Sequence, residues 1–337
     1  MITYPVLNKH SKIGVTAPSS GVPSAYHPLL RQSEQRLEEK GYTVSFGETV
    51  WTQEKVRAAS AEKRASEFMG MMGDDGIEAI IPPWGGELLT EILEFLDFEK
   101  MKAKWVLGYS DISPLLLAIT LKKGIATAHG TNFIDLRGEY WDETTAMWEK
   151  VLTTKRGESI SQTSSMKYQD QWEHENPSPC VFHLTHETEW KTVSNKDENL
   201  KGRLLGGCID IIHHLAGTPY GDVKAFHETF ADGEPLLWYF ENCELNTTGL
   251  RCALVHMKMA GWFDHCSGIM FGRSAANTPV NGYLAEDVYR ELSEELGIPV
   301  IYDIDCGHQP PQVTLVNGAC AEVNVSGGKG VIRQFFK

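Results

Sequence analysis

No stretch of this 337-residue chain approaches the ~20 consecutive apolar residues that cross a bilayer, so no membrane-spanning helix is expected. The first residues, Met1 to His10, lack a basic start followed by an apolar core. No secretory leader is therefore expected, and the expected compartment is the cytoplasm. Cysteine is scarce and one-sided: there are 7, the first is Cys180, and none forms a CxxC pair. Reduced thiols fit that pattern better than a disulfide framework. Positive charge is also short, with 31 Lys+Arg against 45 Asp+Glu and a net charge of -14. That balance argues against a nucleic-acid or anionic-membrane partner, since both need clustered Lys and Arg. Neither G-x-x-x-x-G-K-S/T nor G-x-G-x-x-G occurs, so nucleotide hydrolysis and dinucleotide redox chemistry find no support. There is no H-E-x-x-H, and the pairs His183/His186 and His213/His214 (the latter near Asp210) lack zinc-like spacing. No metal and no cofactor are expected.

What is present is an alternation of strand and helix in the first half. Apolar runs at 12–17, 42–46, 76–81 and 105–107 read as strands, and helical patterns cover about His27 to Lys40, Ala59 to Met72 and Leu88 to Leu96. Such alternation predicts an α/β fold, with a parallel sheet covered on both faces and right-handed crossovers. The stretch from about Thr154 to Asn176 is polar and poor in aliphatic residues, and reads as a linker or loop. The second half carries strand-like runs at 236–240, 268–271 and 299–302, with a helix over about Leu284 to Leu296. Near the end, Val313 and Leu315 alternate toward Asn317-Gly318, a type I′ turn signal, and Ala321, Val323 and Val325 continue beyond it. That pattern predicts a hairpin. The expected organisation is an α/β domain over 1–155, a linker over 156–178 and a smaller β-rich domain over 179–337.

Three residues that could carry chemistry follow apolar runs. Ser110 lies in Trp105-Val-Leu-Gly-Tyr-Ser-Asp-Ile-Ser-Pro114, between a buried strand and a helix for which Ser113 is a candidate N-cap and Pro114 a suitable early residue. Open α/β sheets bind ligands at that edge. A serine there is either a nucleophile or a second capping residue. Glu241 directly follows Leu236 to Phe240; read alone, it is equally the polar end of a strand. His308 follows the run 299–302 through a short loop, and read alone it is a loop histidine. Together, serine, carboxylate and histidine can form a nucleophile, an orienting acid and a general base. The chain order Ser, acid, His is that of the α/β-hydrolases. Their G-x-S-x-G elbow is missing, because Ile112 occupies its last position. The loop Trp84-Gly85-Gly86 also follows a strand, and paired glycines can turn an N–H toward a developing oxyanion or simply make a turn.

With these pieces in place, the chain resembles the LD-carboxypeptidase family of serine peptidases, and within it the microcin C self-immunity branch. The matching pieces are Lys12-Ile-Gly-Val-Thr-Ala-Pro-Ser19, the Gly85-Gly86 loop and Gly108-Tyr-Ser-Asp111 in the first half. They continue with Gly202-Arg-Leu-Leu-Gly-Gly207, Gly217-Thr-Pro-Tyr220, Glu241 after its strand, and Gly307-His308-Gln-Pro-Pro-Gln-Val-Thr-Leu315. The resemblance implies an amino-terminal domain like that of class I glutamine amidotransferases, a smaller β-rich carboxyl-terminal domain, and a homodimer. It implies Ser110 as nucleophile, His308 as base, Glu241 as its partner, and the amides of Gly86 and Asp111 as oxyanion hole. It also implies a small peptide or peptidyl-nucleotide substrate. The immunity branch cleaves the amide between an aspartyl-like group and a nucleotide mimic, whereas the murein branch acts on a tetrapeptide. A catalytically silent peptide- or nucleotide-binding protein is the alternative of another class, and the intact Ser, Glu and His argue against it. Trp84, Gly85, Cys208, Trp172 and Trp190 are expected at the substrate, with Trp172 and Trp190 either stacking faces for a nucleobase or packing residues, the latter at least as fitting for Trp190. Cys208 stands where the family usually has a substrate-holding asparagine, and the stretch from Val223 to Gly233 is an unusual addition.

Overall fold

The computed structural model describes residues 1–171 and 176–337. The apolar runs of the first half become strands β1 (Lys12–Val15), β2 (Thr43–Phe46), β3 (Ile77–Ile80), β4 (Trp105–Gly108) and β5 (Thr127–His129). All five are parallel, in the order β5-β4-β3-β1-β2. Every residue of β4 is buried, as an uninterrupted apolar run between two helical layers requires. Helices α1 (His27–Glu39), α2 (Ala61–Gly73) and α3 (Ser113–Lys123) return the chain between strands. In α1 the buried positions Leu30, Ser33 and Leu37 follow the helical repeat. The expected helix at Leu88–Leu96 is instead a tight 3-10 segment, Leu89–Phe95.

The second half builds an eight-stranded sheet. Its strands are β6 (Ser159–Thr163), β9 (Lys191–Thr192), β10 (Glu198–Cys208), β11 (Leu236–Glu241), β12 (Cys266–Gly272), β13 (Val300–Ile304), β15 (Cys320–Ser326) and β16 (Lys329–Phe335). The order is β6-β16-β15-β10-β11-β12-β13-β9. Strands β10 to β13 run parallel, with helices Val223–Phe230, Thr247–Met259 and Ala285–Leu296 between them. The unusual stretch at 223–233 is thus largely a crossover helix. Two short strands, β7 (Lys167–Tyr168) and β8 (His186–Glu187), form a separate ribbon. The carboxyl-terminal unit is therefore β-rich, as expected, but half of its large sheet is parallel.

Two expectations are corrected here. The segment read as a linker contributes β6, which pairs with β16. Its inward residue, Gln162, is polar: its side chain donates to the carbonyl of Thr314 at 2.8 Å and accepts from the Thr314 N–H at 2.9 Å. A buried amide satisfied in this way leaves no apolar signature. The hairpin expected at Asn317-Gly318 does not form there. The strand β14 (Leu315–Asn317) pairs antiparallel with β5 in the first sheet, and the chain then crosses to β15 in the second. Asn317 is buried, and its side-chain oxygen accepts from the Gly206 N–H and the Tyr239 hydroxyl, each at 2.9 Å. The terminal hairpin is β15–β16, turning at Gly327-Gly328.

One apolar cluster runs across both sheets, joining Leu107, Leu115 and Ile119 to Ile209, Trp238 and Phe240. At its edge the carboxyl ends of β4, β5, β10 and β11 converge. The Cys208 N–H donates to Ser113 Oγ at 2.9 Å and ties β10 to the start of α3. Ser113 is thus the first residue of α3 and an anchor between the units, not the expected N-cap.

Candidate active site

Ser110 occupies the turn between β4 and α3 with φ of 63°, in the left-handed region that a non-glycine residue enters at a cost. A strand held between two helical layers stops at Gly108, and α3 must start three residues after Ser110. The sharp turn lifts the Ser110 side chain out of the core. Behind it, the Asp111 carboxylate is buried and accepts from Ser19 Oγ and from the Leu89 N–H at 2.9 Å. Burial pushes its carboxyl up to about 6, against those hydrogen bonds. Through Asp111, the loop after β1 and the segment after the Trp84-Gly85-Gly86 loop are bound to the Ser110 turn.

His308 Nε2 lies 3.0 Å from Ser110 Oγ, and His308 Nδ1 lies 2.7 Å from Glu241 Oε2. Glu241, the last residue of β11, is fully buried. Burial alone would push its carboxyl up. The charge of His308 and the neighbouring imidazole hydrogens overcome that and hold it below the usual carboxylate range. Conversely, burial disfavours the charged form of His308, but the adjacent Glu241 carboxylate outweighs it and raises the imidazole well above its ordinary value. Tyr109 packs edge-on against the His308 ring at a centroid distance of 5.2 Å. Gly307, with φ of 106°, lets the loop cross Glu241: a Cβ there would sit 2.6 Å from the Glu241 Cβ.

The loop that presents His308 is pinned by a buried network. Asp305 accepts from Trp190 Nε1 at 2.8 Å, from Arg273 Nη2 at 2.8 Å and from the Ser165 N–H at 2.9 Å. Trp190 is 1% exposed. It is a core residue that supports the His308 loop, and the expectation of an exposed stacking face is corrected: its indole N–H is spent on Asp305. Trp172 lies outside the described residues. Cys208 is also buried, opposite Glu241 in the sheet register, with Sγ 3.2 Å from Asp210 Oδ2. Burial raises its thiol well above the usual range.

Ser110 and His308 open onto a cavity of about 610 Å3 whose walls include Trp84, Gly85, Gly86 and Tyr109. A Cβ added to Gly85 would meet Ser110 Cβ and Oγ at 2.8 Å, so the loop is packed directly on the serine. Gly86 has φ of 146°. The lining also holds groups not singled out from the sequence: Tyr26, Asp135 and Arg137. The rings of Tyr26 and Trp84 meet edge to face at 6.1 Å, and Trp84 Nε1 donates to the Ser20 carbonyl at 3.1 Å. Burial pushes the Asp135 carboxyl up to about 6, opposed by Arg137. Tyr26 lies in no periodic pattern that marks a site. Asp135 and Arg137 follow the end of β5, and the sheet-edge rule applied to Ser110 reaches them too. Among the described residues there is no cluster of His, Cys, Asp or Glu able to hold a metal ion, and no helix long and apolar enough to cross a membrane.

A serine after a strand of the first sheet, a buried carboxylate ending a strand of the second and a loop imidazole between them, in one hydrogen-bonded chain, define a protein built for serine-type acyl transfer. The sequence matches the model of the LD-carboxypeptidase N-terminal domain over residues 13–130 and that of the C-terminal domain over residues 201–323. The chain belongs to the LD-carboxypeptidase family and is a serine carboxypeptidase. It is 24% identical to the putative carboxypeptidase YocD of Bacillus subtilis, over 95% of this chain and 96% of that protein. It is 25% identical to the microcin C7 self-immunity protein MccF of Escherichia coli, over 84% and 81%. It is likewise 25% identical to the probable murein peptide carboxypeptidase of Bacillus subtilis, over 97% and 92%. Among solved structures, the MccF-like protein of Bacillus anthracis superposes with a TM-score of 0.83 at 23% identity, covering 99% of both chains. MccF in complex with aspartyl sulfamoyl adenosine gives 0.82 at 20% identity, covering 100% of this chain and 99% of the other. The muramoyltetrapeptide carboxypeptidase of Oxalobacter formigenes gives 0.73 at 22% identity, covering 96% and 99%.

Proposed function

We propose that the protein hydrolyses the amide between an aminoacyl, aspartyl-like group and a nucleotide mimic, with Ser110, His308 and Glu241 as its catalytic triad. The hydrogen-bonded chain Ser110–His308–Glu241 carries the reading, because each atom sits where its role requires. His308 Nε2 takes the hydroxyl proton as Ser110 Oγ attacks the carbonyl, and Glu241 holds the Nδ1–H and balances the imidazolium charge. The amides of Gly86 and Asp111 receive the oxyanion, supported by the packing of Gly85 on Ser110. His308 then gives its proton to the leaving nitrogen, and water, activated by the same imidazole, releases the acyl group from Ser110.

The cavity walls support this substrate class. With Trp190 in the core, the aromatic residues lining the cavity beside the nucleophile include, among the described residues, Trp84, Tyr109 and Tyr26, the last 42% exposed. A planar base stacked there gains about 1–3 kcal/mol, by analogy with base stacking elsewhere. Arg137 and Lys55 line the same cavity, alongside Asp135 and Glu87, and give a polar substrate group cationic as well as anionic partners. Aspartyl sulfamoyl adenosine, the molecule bound in the MccF structure, combines these features. Murein tetrapeptide cleavage is the second reading, favoured by the full-length similarity to a probable murein peptide carboxypeptidase. The deciding measurement is kcat/KM on aspartyl sulfamoyl adenosine and on a murein tetrapeptide, for the parent, Trp84→Ala and Tyr26→Ala. Preference for the nucleoside that falls about tenfold in either variant supports the reading, and faster tetrapeptide cleavage moves the protein to murein chemistry. A homodimer in the cytoplasm completes the proposal, and sedimentation of the purified chain at a monomer's mass contradicts that assembly.

A further inference from the structure

Glu241 has two oxygens, and the triad uses one. Oε1 is buried and has no hydrogen-bond partner among the described residues. Facing it is a second imidazole. His129 is the last residue of β5, is fully buried, and places Nε2 3.7 Å from Glu241 Oε1. That nitrogen also lacks a partner among the described residues. Two complementary polar atoms, each buried and each unpaired, point at one another just beyond hydrogen-bond length. Leaving both unmade is unfavourable, and a small side-chain shift joins them.

The other face of His129 meets a thiol. Its Nδ1 lies 3.8 Å from Cys306 Sγ. Cys306 is fully buried, and burial keeps its thiol protonated. An ionised carboxylate only accepts, so Nε2 carries the ring proton that faces Glu241, and Nδ1 is left to accept from the Cys306 thiol. Two aromatic rings also meet it edge to face: Tyr239 at 5.5 Å and Tyr109 at 6.4 Å between centroids.

We propose that His129 is a positioning residue that donates its Nε2–H to Glu241 Oε1, extending the hydrogen-bonded chain to Ser110–His308–Glu241–His129, with the Cys306 thiol facing its other nitrogen. The proposal rests on the triad reading above. Held at both oxygens, the carboxylate cannot rotate away from His308, and its charge stays in place when the imidazolium forms. No proton leaves His129 in the cycle.

The test uses the full-length protein, aspartyl sulfamoyl adenosine or whichever substrate it cleaves, and 15N-histidine labelling. In the parent, His129 carries a proton on Nε2; an unprotonated Nε2 overturns the proposal without any variant. His129→Phe fills the space without a donor, and kcat is expected to fall about 10–100-fold, as when outer partners of a site are removed, with KM unchanged. The low-field proton resonance of His308 Nδ1–H moves in the same variant. His129→Gln restores a donor and is expected to recover kcat to within a few-fold of the parent and return the resonance. A purely structural role predicts equal losses in both variants with an unmoved resonance, and overturns the proposal. If His129→Phe does not fold, the tautomer and the Gln variant still decide. If Ser110→Ala and His308→Ala stay active, the triad reading fails; if they are dead and His129→Phe matches the parent, only this inference fails.

Discussion

Ser110 is held at φ of 63°, and that strain separates two substitutions that abolish activity equally. The left-handed conformation costs a residue with a Cβ about 1–2 kcal/mol. Alanine keeps the Cβ and therefore the cost. Glycine removes the cost but adds about 0.5–1 kcal/mol of chain entropy to be lost on folding. Both variants lose the 3.0 Å contact with His308 Nε2, so that loss cancels between them. Ser110→Gly should then be more stable than Ser110→Ala by about 0.5–1 kcal/mol, a difference of about 1 °C in Tm for a chain of this size. Both should lose about 10^4-fold or more in kcat/KM. Urea unfolding gives the first quantity and chromatographic product release the second. A glycine variant less stable than the alanine variant refutes the strain argument. Activity within tenfold of the parent in either refutes the nucleophile.

Further outcomes follow from the same geometry. His308→Ala should match Ser110→Ala, while Glu241→Gln should cost less, and the double variant should lose no more than the worse single one; additive losses in kcat/KM contradict a shared unit. Because Glu241 raises the His308 imidazole, and the base must be neutral, kcat/KM should keep rising with pH above the ordinary histidine range; Glu241→Gln should move that limb to lower pH, seen in a pH–rate profile. Gly85→Ala, whose Cβ falls 2.8 Å from Ser110 Oγ, should cut kcat/KM about 100-fold by displacing the serine, with the urea midpoint little changed. Asp111 and Asp135 are raised in the folded state, so their contribution to stability is full below pH ~4 and is lost as pH rises through about 6, which denaturant titrations across that window should record. Excess chelator should leave activity unchanged, and loss restored by zinc would sink the metal-free account.

The readable part of this protein is where a short apolar run ends in a polar residue. β4 and the Ser110 turn, β11 and Glu241, and the β13 run before His308 all declare themselves because a buried parallel strand must be apolar and must stop. His129 ends a strand next to Ser110 by the same rule, yet with only Thr127 to His129 in β5 the run is too short to stand out. What local pattern could not carry is long-range polar packing. Gln162 faces inward in β6 and is satisfied by Thr314, so that segment reads as a linker. Asn317-Gly318 has the dipeptide of a tight turn, but the Asn317 side chain serves Gly206 and Tyr239 at a crossing between sheets. Trp190 looks available to a ligand until Asp305, 115 positions away, takes its indole N–H.

The central claim is that Ser110 is a nucleophile activated by His308. The most direct measurement is labelling of the native protein with a fluorophosphonate, read by intact mass and peptide mapping. The account predicts one adduct per chain, on Ser110, absent in Ser110→Ala and strongly slowed in His308→Ala. Labelling of another residue, or no labelling of a folded protein that still cleaves its substrate, contradicts it.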